Sequence, residues 1–254
     1  MINYNLYEII QNQPLTDDYD RYIVLDEIYR LLISYCIPLI YMDMSFMQYQ
    51  FYLLPGAKRW LSDISTLIYE GVGDDSLDII SRGLKRRARS IIKFKAVFEG
   101  ILISPKVLPE LVNLIELELS VRNLNQKYEE QLKNSTFSNL QVLHIGNISV
   151  NTMAIIIEKT NGHVRKIWVD DYKFCNDAER LILAIYKNCS YIEVLSIVLY
   201  NHNFMEFEKL LQSCGHLRTL YIKILSARKN EREDRMILSE ILKESAPACL
   251  NNIT

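Results

Sequence analysis

The chain has 254 residues, 49% of them apolar and 24% charged, with a formal net charge of -2. That is ample apolar material for a core, and the near-neutral charge gives no global attraction to nucleic acid or to an acidic membrane surface. Eight Gly and six Pro leave little room for linkers or low-complexity tails.

The first residues, MINYNLYEIIQNQPLTDDYD, lack the basic-then-apolar build of a signal peptide. The longest apolar-looking run, LLISYCIPLIYM, is too short to span a bilayer and ends at Asp43. The expectation is a protein of the cytoplasm or nucleus with no membrane contact. Five cysteines, at 36, 175, 189, 214 and 249, form no C-x-x-C pair. An odd count of this kind argues against a disulfide framework or a zinc site, so these read as reduced, structural thiols.

From Asp18 onward one pattern recurs. An apolar residue is followed three positions later by a second and two positions later by a third, the L-x-x-L-x-L spacing. A helical segment, Asp18 to Tyr35, leads into Leu39, Met42 and Met44; the next sets are Ile64, Leu67, Tyr69 and Ile91, Phe94, Ala96. The strand around Lys93–Val97 reads as weak, because Lys95 and Ala96 sit inside it. Ahead of it, GLKRRARSIIKFK concentrates Lys85, Arg86, Arg87, Arg89, Lys93 and Lys95. This basic run reads either as the solvated end of a helix, where cations suit the macrodipole, or as a localisation patch or site for acidic partners.

The following unit carries Leu114, Leu117 and Leu119, and its Pro105 and Pro109 shorten any helix. The polar stretch Lys127–Ser138 predicts only a few helical turns before Leu140, Leu143 and Ile145. Val164, Ile167 and Val169 come next. DAERLILAIYKNC predicts a helix with Asn176 or Asp177 as N-cap and Leu181, Ala184, Ile185 and Asn188 along one face, leading to Ile192, Leu195 and Ile197. FMEFEKLLQSC repeats this with Phe204, Phe207, Leu211 and Cys214, before Leu217, Leu220 and Ile222. In both, a cysteine marks the corner where a helical period gives way to a strand period. Arg235–Ser245 is a last amphipathic helix, and in SAPACLNNIT Cys249 or Leu250 and Ile253 look like the start of a ninth strand.

The first members fall at 39, 64, 91, 114, 140, 164, 192 and 217, in steps of 25, 27, 23, 26, 24, 28 and 25. A period in the twenties with this spacing is the leucine-rich-repeat signature, one short strand plus one helix per unit. The predicted fold is therefore α/β: a leucine-rich-repeat solenoid of about eight repeats, with parallel strands on the concave face and helices on the convex face. Residues 1–17 form a lead-in, 18–225 the repeats, and 226–254 a terminal helix with a truncated ninth repeat.

The corners YKNCSYIEVLSI and LQSCGHLRTLYI resemble the cysteine-containing, RNI-like repeats found behind F-box domains. IIEKTNGHVRKIWVDDY, FEKLLQSCGHLRTLYI and LLPGAKRWLSDISTL are similar to a much-expanded group of fungal F-box proteins. The resemblance covers roughly residues 20–254. It implies the target-recognition half of a substrate receptor of a cullin-RING ubiquitin ligase, whose F-box binds the adaptor subunit. The chain before Asp18 is too short for such a domain, and Gln13-Pro14-Leu15 is a poor match to its opening. Adaptor binding thus carries over to no residue. The alternatives are a free-standing scaffold or decoy, and a non-functional gene fragment.

Between the inward leucines, one column of side chains faces the predicted concave surface: Asp43, Ile68, Lys95, Glu118, His144, Trp168, Ser196 and Tyr221. Tyr41, Glu70, Lys93, Glu116, Lys166, Asp170, Thr219 and Lys223 flank it. Trp168 between Lys166 and Asp170 is the sharpest feature, because large aromatics are the usual interface anchors. The candidate partner-binding residues are Trp168, Lys166, Asp170, His144, Tyr221, Glu118 and Lys95. Glu116 and Glu118 are expected to pair across strands with Lys93 and Lys95. The four histidines show no metal-ligand spacing, and GVGDD lacks the third glycine of a dinucleotide loop. No enzymatic activity, cofactor or nucleic-acid partner is expected; the expected partner is a target protein of unknown identity, bound by a monomer.

Overall fold

The computed structural model describes residues 23–24, 27, 41–43, 65–72, 85, 88–99, 105–122, 126–170, 178–225 and 231–254. Among them, nine strands form one parallel sheet in strict chain order: β1 (Tyr41–Asp43), β2 (Thr66–Val72), β3 (Lys93–Glu99), β4 (Glu116–Arg122), β5 (Val142–Gly146), β6 (Lys166–Asp170), β7 (Val194–Leu199), β8 (Thr219–Ile224) and β9 (Asn252–Ile253). Parallel neighbours need a crossover between them. The later crossovers contain helices α1 (Gln126–Asn134), α2 (Val150–Glu158), α3 (Ala178–Asn188), α4 (Phe204–Ser213) and α5 (Glu231–Ser245). Successive crossovers of one hand, advancing in one direction, put every helix on the same face of a sheet. Each of these helices packs on the next, and among the described residues side chains on the other face, such as Glu118, His144 and Trp168, are partly exposed.

The repeated spacing is visible as a ladder. Met42, Leu67, Phe94, Leu117, Leu143, Ile167, Leu195, Leu220 and Ile253 are paired one to the next through all nine strands. From Leu67 to Leu220 these side chains are buried in a single core. The first members Ile91, Leu114, Leu140, Val164, Ile192 and Leu217 are buried with them. Those at 39 and 64 lie outside the described residues. Burial of each such side chain stabilises the fold by roughly 1.5–3 kcal/mol.

The corners repeat as well. The N–H groups of Ile91, Leu114, Leu140, Ile192 and Leu217 each donate to the carbonyl three residues earlier. One residue further on, the carbonyl oxygens of Ser65, Ile92, Ile115, Gln141, Arg165, Glu193 and Arg218 each accept two N–H groups from the next unit. The chain must satisfy its buried backbone groups as it turns from helix to strand, and the units that carry these bonds solve that problem in the same way. Cys189 and Cys214 occupy this corner, their N–H groups closing α3 and α4 on the carbonyls of Ile185 (2.7 Å) and Leu210 (2.9 Å). Cys249 donates to the carbonyls of Gly215 (3.1 Å) and Leu217 (3.2 Å). Cys36 and Cys175 lie outside the described residues.

Burial pushes the thiols of Cys189 and Cys214 up to about 12 from the ordinary 9.0, with the nearby Cys214 adding to the shift of Cys189. The folded state therefore keeps protons that the unfolded chain releases above its own thiol pKa. This contribution is fully present below about pH 9 and is lost as pH rises toward 12. Urea midpoints are expected to fall between about pH 8 and about pH 10, roughly one unit either side of the ordinary 9.0, less steeply in Cys214→Ala than in the parent. Equal slopes would contradict buried thiols at these corners.

Local departures from the pattern have local causes. The β3 segment, expected to be weak, is a seven-residue strand, since β2 and β4 pair it along its whole length. Pro105 and Pro109 stand in a 3-10 turn, Pro105–Glu110, rather than an α-helix. The polar 127–138 stretch supplies α1, nine residues anchored by buried Tyr128 and Leu132 at i, i+4. Its Glu129 caps the next unit. The carboxylate accepts from Ser149 N (3.2 Å), Ser149 Oγ (3.1 Å) and Thr152 Oγ1 (3.2 Å), while Ser149 Oγ accepts from Thr152 N as the N-cap of α2. Asn188 is half-buried and donates to Ala184 O at 2.8 Å, while Asn176 and Asp177 lie outside the described residues. Gly162, at φ +78°, passes so close to the α3 end that an added Cβ would stand 3.2 Å from Asn188 O. At the far end, α5 and β9 extend the same sheet, with Leu250 packed against the core.

Candidate functional site

The alternation of a strand sends every second side chain to the open face. Pairing places Lys95 beside Glu118, Glu118 beside His144, and His144 beside Trp168. Lys95 Nζ lies 3.1 Å from Glu118 Oε1, and His144 Nδ1 lies 3.6 Å from the same oxygen. The His144 and Trp168 ring centroids are 6.2 Å apart with the planes tilted by 50°. In the preceding row Lys93 Nζ reaches Glu116 Oε2 at 2.8 Å. The cross-strand pairing expected for these lysines and glutamates is thus present. Each pair is solvent-accessible and contributes at most about 1 kcal/mol.

These residues enclose a hollow of about 160 Å³, lined by Glu116, Glu118, Val142, His144 and Trp168. The carboxylates come from β4, Val142 and His144 from β5, and Trp168 from β6. Between β6 and β7 the described pairing covers only Lys166–Val194 and Ile167–Leu195, whereas β5 and β6 pair over five positions. The next open-face residue of this column, on β7, is the small Ser196.

Of the residues singled out in the sequence, Glu118, His144 and Trp168 line the hollow, and Lys95 braces it from β3. Lys166 lies in the preceding row, that of Lys93 and Glu116, between Val142 and Val194, and takes no acidic partner among the described residues. Asp170 pairs in register with Gly146 on β5. Tyr221 is 41% exposed on β8 and stands apart from the hollow, with Ser196 on the strand between. Val142 is the lining residue that sequence reasoning missed. Its signal was positional: it occupies the row of Glu116 and Lys166, and an apolar residue in a charged row marks a floor rather than a rim.

Of the basic run, Lys85, Arg89, Lys93 and Lys95 are described, and Arg89 is exposed. Lys85 pairs with Glu110 at 3.3 Å, and Lys93 and Lys95 with Glu116 and Glu118, so each reaches an acid in the following unit. Arg86 and Arg87 lie outside the described residues. No helix among the described residues is long and apolar enough to cross a membrane. No protein-family model matches the chain, and no curated protein matches it.

Proposed function

We propose that the repeating strand–helix units form a leucine-rich-repeat solenoid that works as a protein–protein interaction module, with the open, concave side of the sheet as its docking surface. The observation that carries this reading is the hollow at Glu116, Glu118, Val142, His144 and Trp168. The helix-facing side chains are used up in the core, while a large aromatic and charged groups stand on the open side. An indole at the centre of such a face is the kind of anchor that dominates binding energy, worth roughly 2 kcal/mol or more on truncation.

The resemblance of the cysteine corners supports a narrower form of the proposal, in which the face recruits a target protein to a ubiquitin ligase. A free-standing scaffold would use the same face without the ligase.

Trp168→Ala is the direct test. Proteins retained from a fungal extract by the tagged full chain are compared between the parent, Trp168→Ala, and Met205→Ser, a change at a 71% exposed position on α4. Selective loss with Trp168→Ala at unchanged thermal stability is the expected outcome. An identical retained set in all three would overturn the reading. Adaptor and cullin subunits among the retained proteins would favour the ligase form, and a target retained without them the scaffold form.

A further inference from the structure

We infer that the hollow is a socket for one cationic side chain of the partner, an arginine in preference to a lysine. This rests on the docking-face reading above and deepens it. At about 160 Å³ the space is well below the roughly 300–1,000 Å³ of pockets that hold whole small molecules, so it suits a single side chain. Its composition decides which. Glu116 and Glu118 form the wall on β4, the Trp168 ring forms the wall on β6, and Val142 and His144 from β5 lie between them. Two strand spacings, about 9.5 Å, separate the backbones that carry the two walls.

Lys93 and Lys95 approach the carboxylates from β3, the side away from the hollow, and no lysine or arginine among the described residues lines the space. A partner that covered the hollow with an apolar group would strip water from two carboxylates and leave them only the lysines and His144 already beside them. An acidic group would meet both of them. A cation satisfies the carboxylates and gains the attraction of the indole face. The planar guanidinium does both at once, since its fork matches carboxylate geometry while its plane stacks on an aromatic ring.

The probe is N-acetyl-argininamide, with N-acetyl-citrullinamide as its uncharged counterpart of the same shape. The readout is the indole N–H resonance of Trp168 in the full-length protein, assigned by its absence in Trp168→Phe, with Trp60 as internal control. A saturable, millimolar shift of the Trp168 resonance is expected with argininamide. Citrullinamide should bind at least about tenfold more weakly, as should argininamide to Glu118→Gln, since a hydrogen bond to a charged group is worth at least about that factor. Ser196→Ala, outside the hollow, should leave the affinity unchanged. Equal responses to the two amides, a Trp168 resonance that does not move, or full affinity in Glu118→Gln would each overturn the socket. Such a failure leaves the docking face to be judged by Trp168→Ala alone, so the two proposals fail separately.

Discussion

Leu195→Ala is expected to destabilise the protein by about 3–5 kcal/mol, while Ser196→Ala next to it changes stability by no more than about 0.5 kcal/mol. Leu195 is 0% exposed and sits in the ladder between Ile167 and Leu220. Truncation leaves a cavity that touches two interfaces between units, and in a stack of units stability is the sum of such interfaces. Ser196 faces the open side of the same strand. For a chain of this size the leucine change corresponds to a fall in melting temperature of roughly 6–20 °C. Thermal melts of the two variants check this. Equal losses would mean that the two faces of β7 are assigned the wrong way round.

Glu129→Ala is expected to be the second large effect, about 2–3 kcal/mol, because one side chain on α1 serves the start of α2. Its carboxylate collects three hydrogen bonds from Ser149 and Thr152, and Thr152 is 0% exposed. A negative charge there also suits the positive end of the α2 dipole. Ser149 Oγ and Thr152 Oγ1 remain 2.7 Å apart without it, so the loss stops short of an orphaned hydroxyl. Glu129→Gln keeps the acceptor but not the charge and should lose about half as much. The neighbouring, exposed Glu130→Ala is the control. Urea unfolding that fails to separate Glu129→Ala from Glu130→Ala would show that the cap does not couple the units.

The regular part of the fold was legible because each unit must meet one physical demand at a fixed place. An L-x-x-L-x-L set specifies three inward side chains, and the sets beginning at Ile91, Leu114, Leu140, Val164, Ile192 and Leu217 head buried strands. The cysteine corners were legible for the same reason, since a small apolar side chain fits where two backbones crowd. Segments governed by neighbours were harder to read. Lys93–Glu99 has a poor strand composition, and its length comes from pairing on both sides. Glu129 looked like one acid among several on a polar helix, and only the stacking of α1 on α2 shows what it caps. At the candidate site, Glu118, His144 and Trp168 followed from alternation alone. Val142 did not, because an apolar side chain on an exposed row gains meaning only from the charged and aromatic neighbours that pairing brings to it. Tyr221 had the right residue type in the same column, and the intervening β7 keeps it from the hollow.

The most direct test of the whole account is the pattern of nuclear Overhauser contacts in methyl-labelled protein. The sheet order requires contacts from Leu117 to Leu143, from Leu143 to Ile167, from Ile167 to Leu195 and from Leu195 to Leu220, each to its immediate neighbour. The Trp168 indole should contact His144 and the Val142 methyls and none of the ladder leucines. A Trp168 indole that contacts the helix-side methyls of Ile182 or Ile185, or a ladder that skips a strand, would contradict the register and remove the binding face with it.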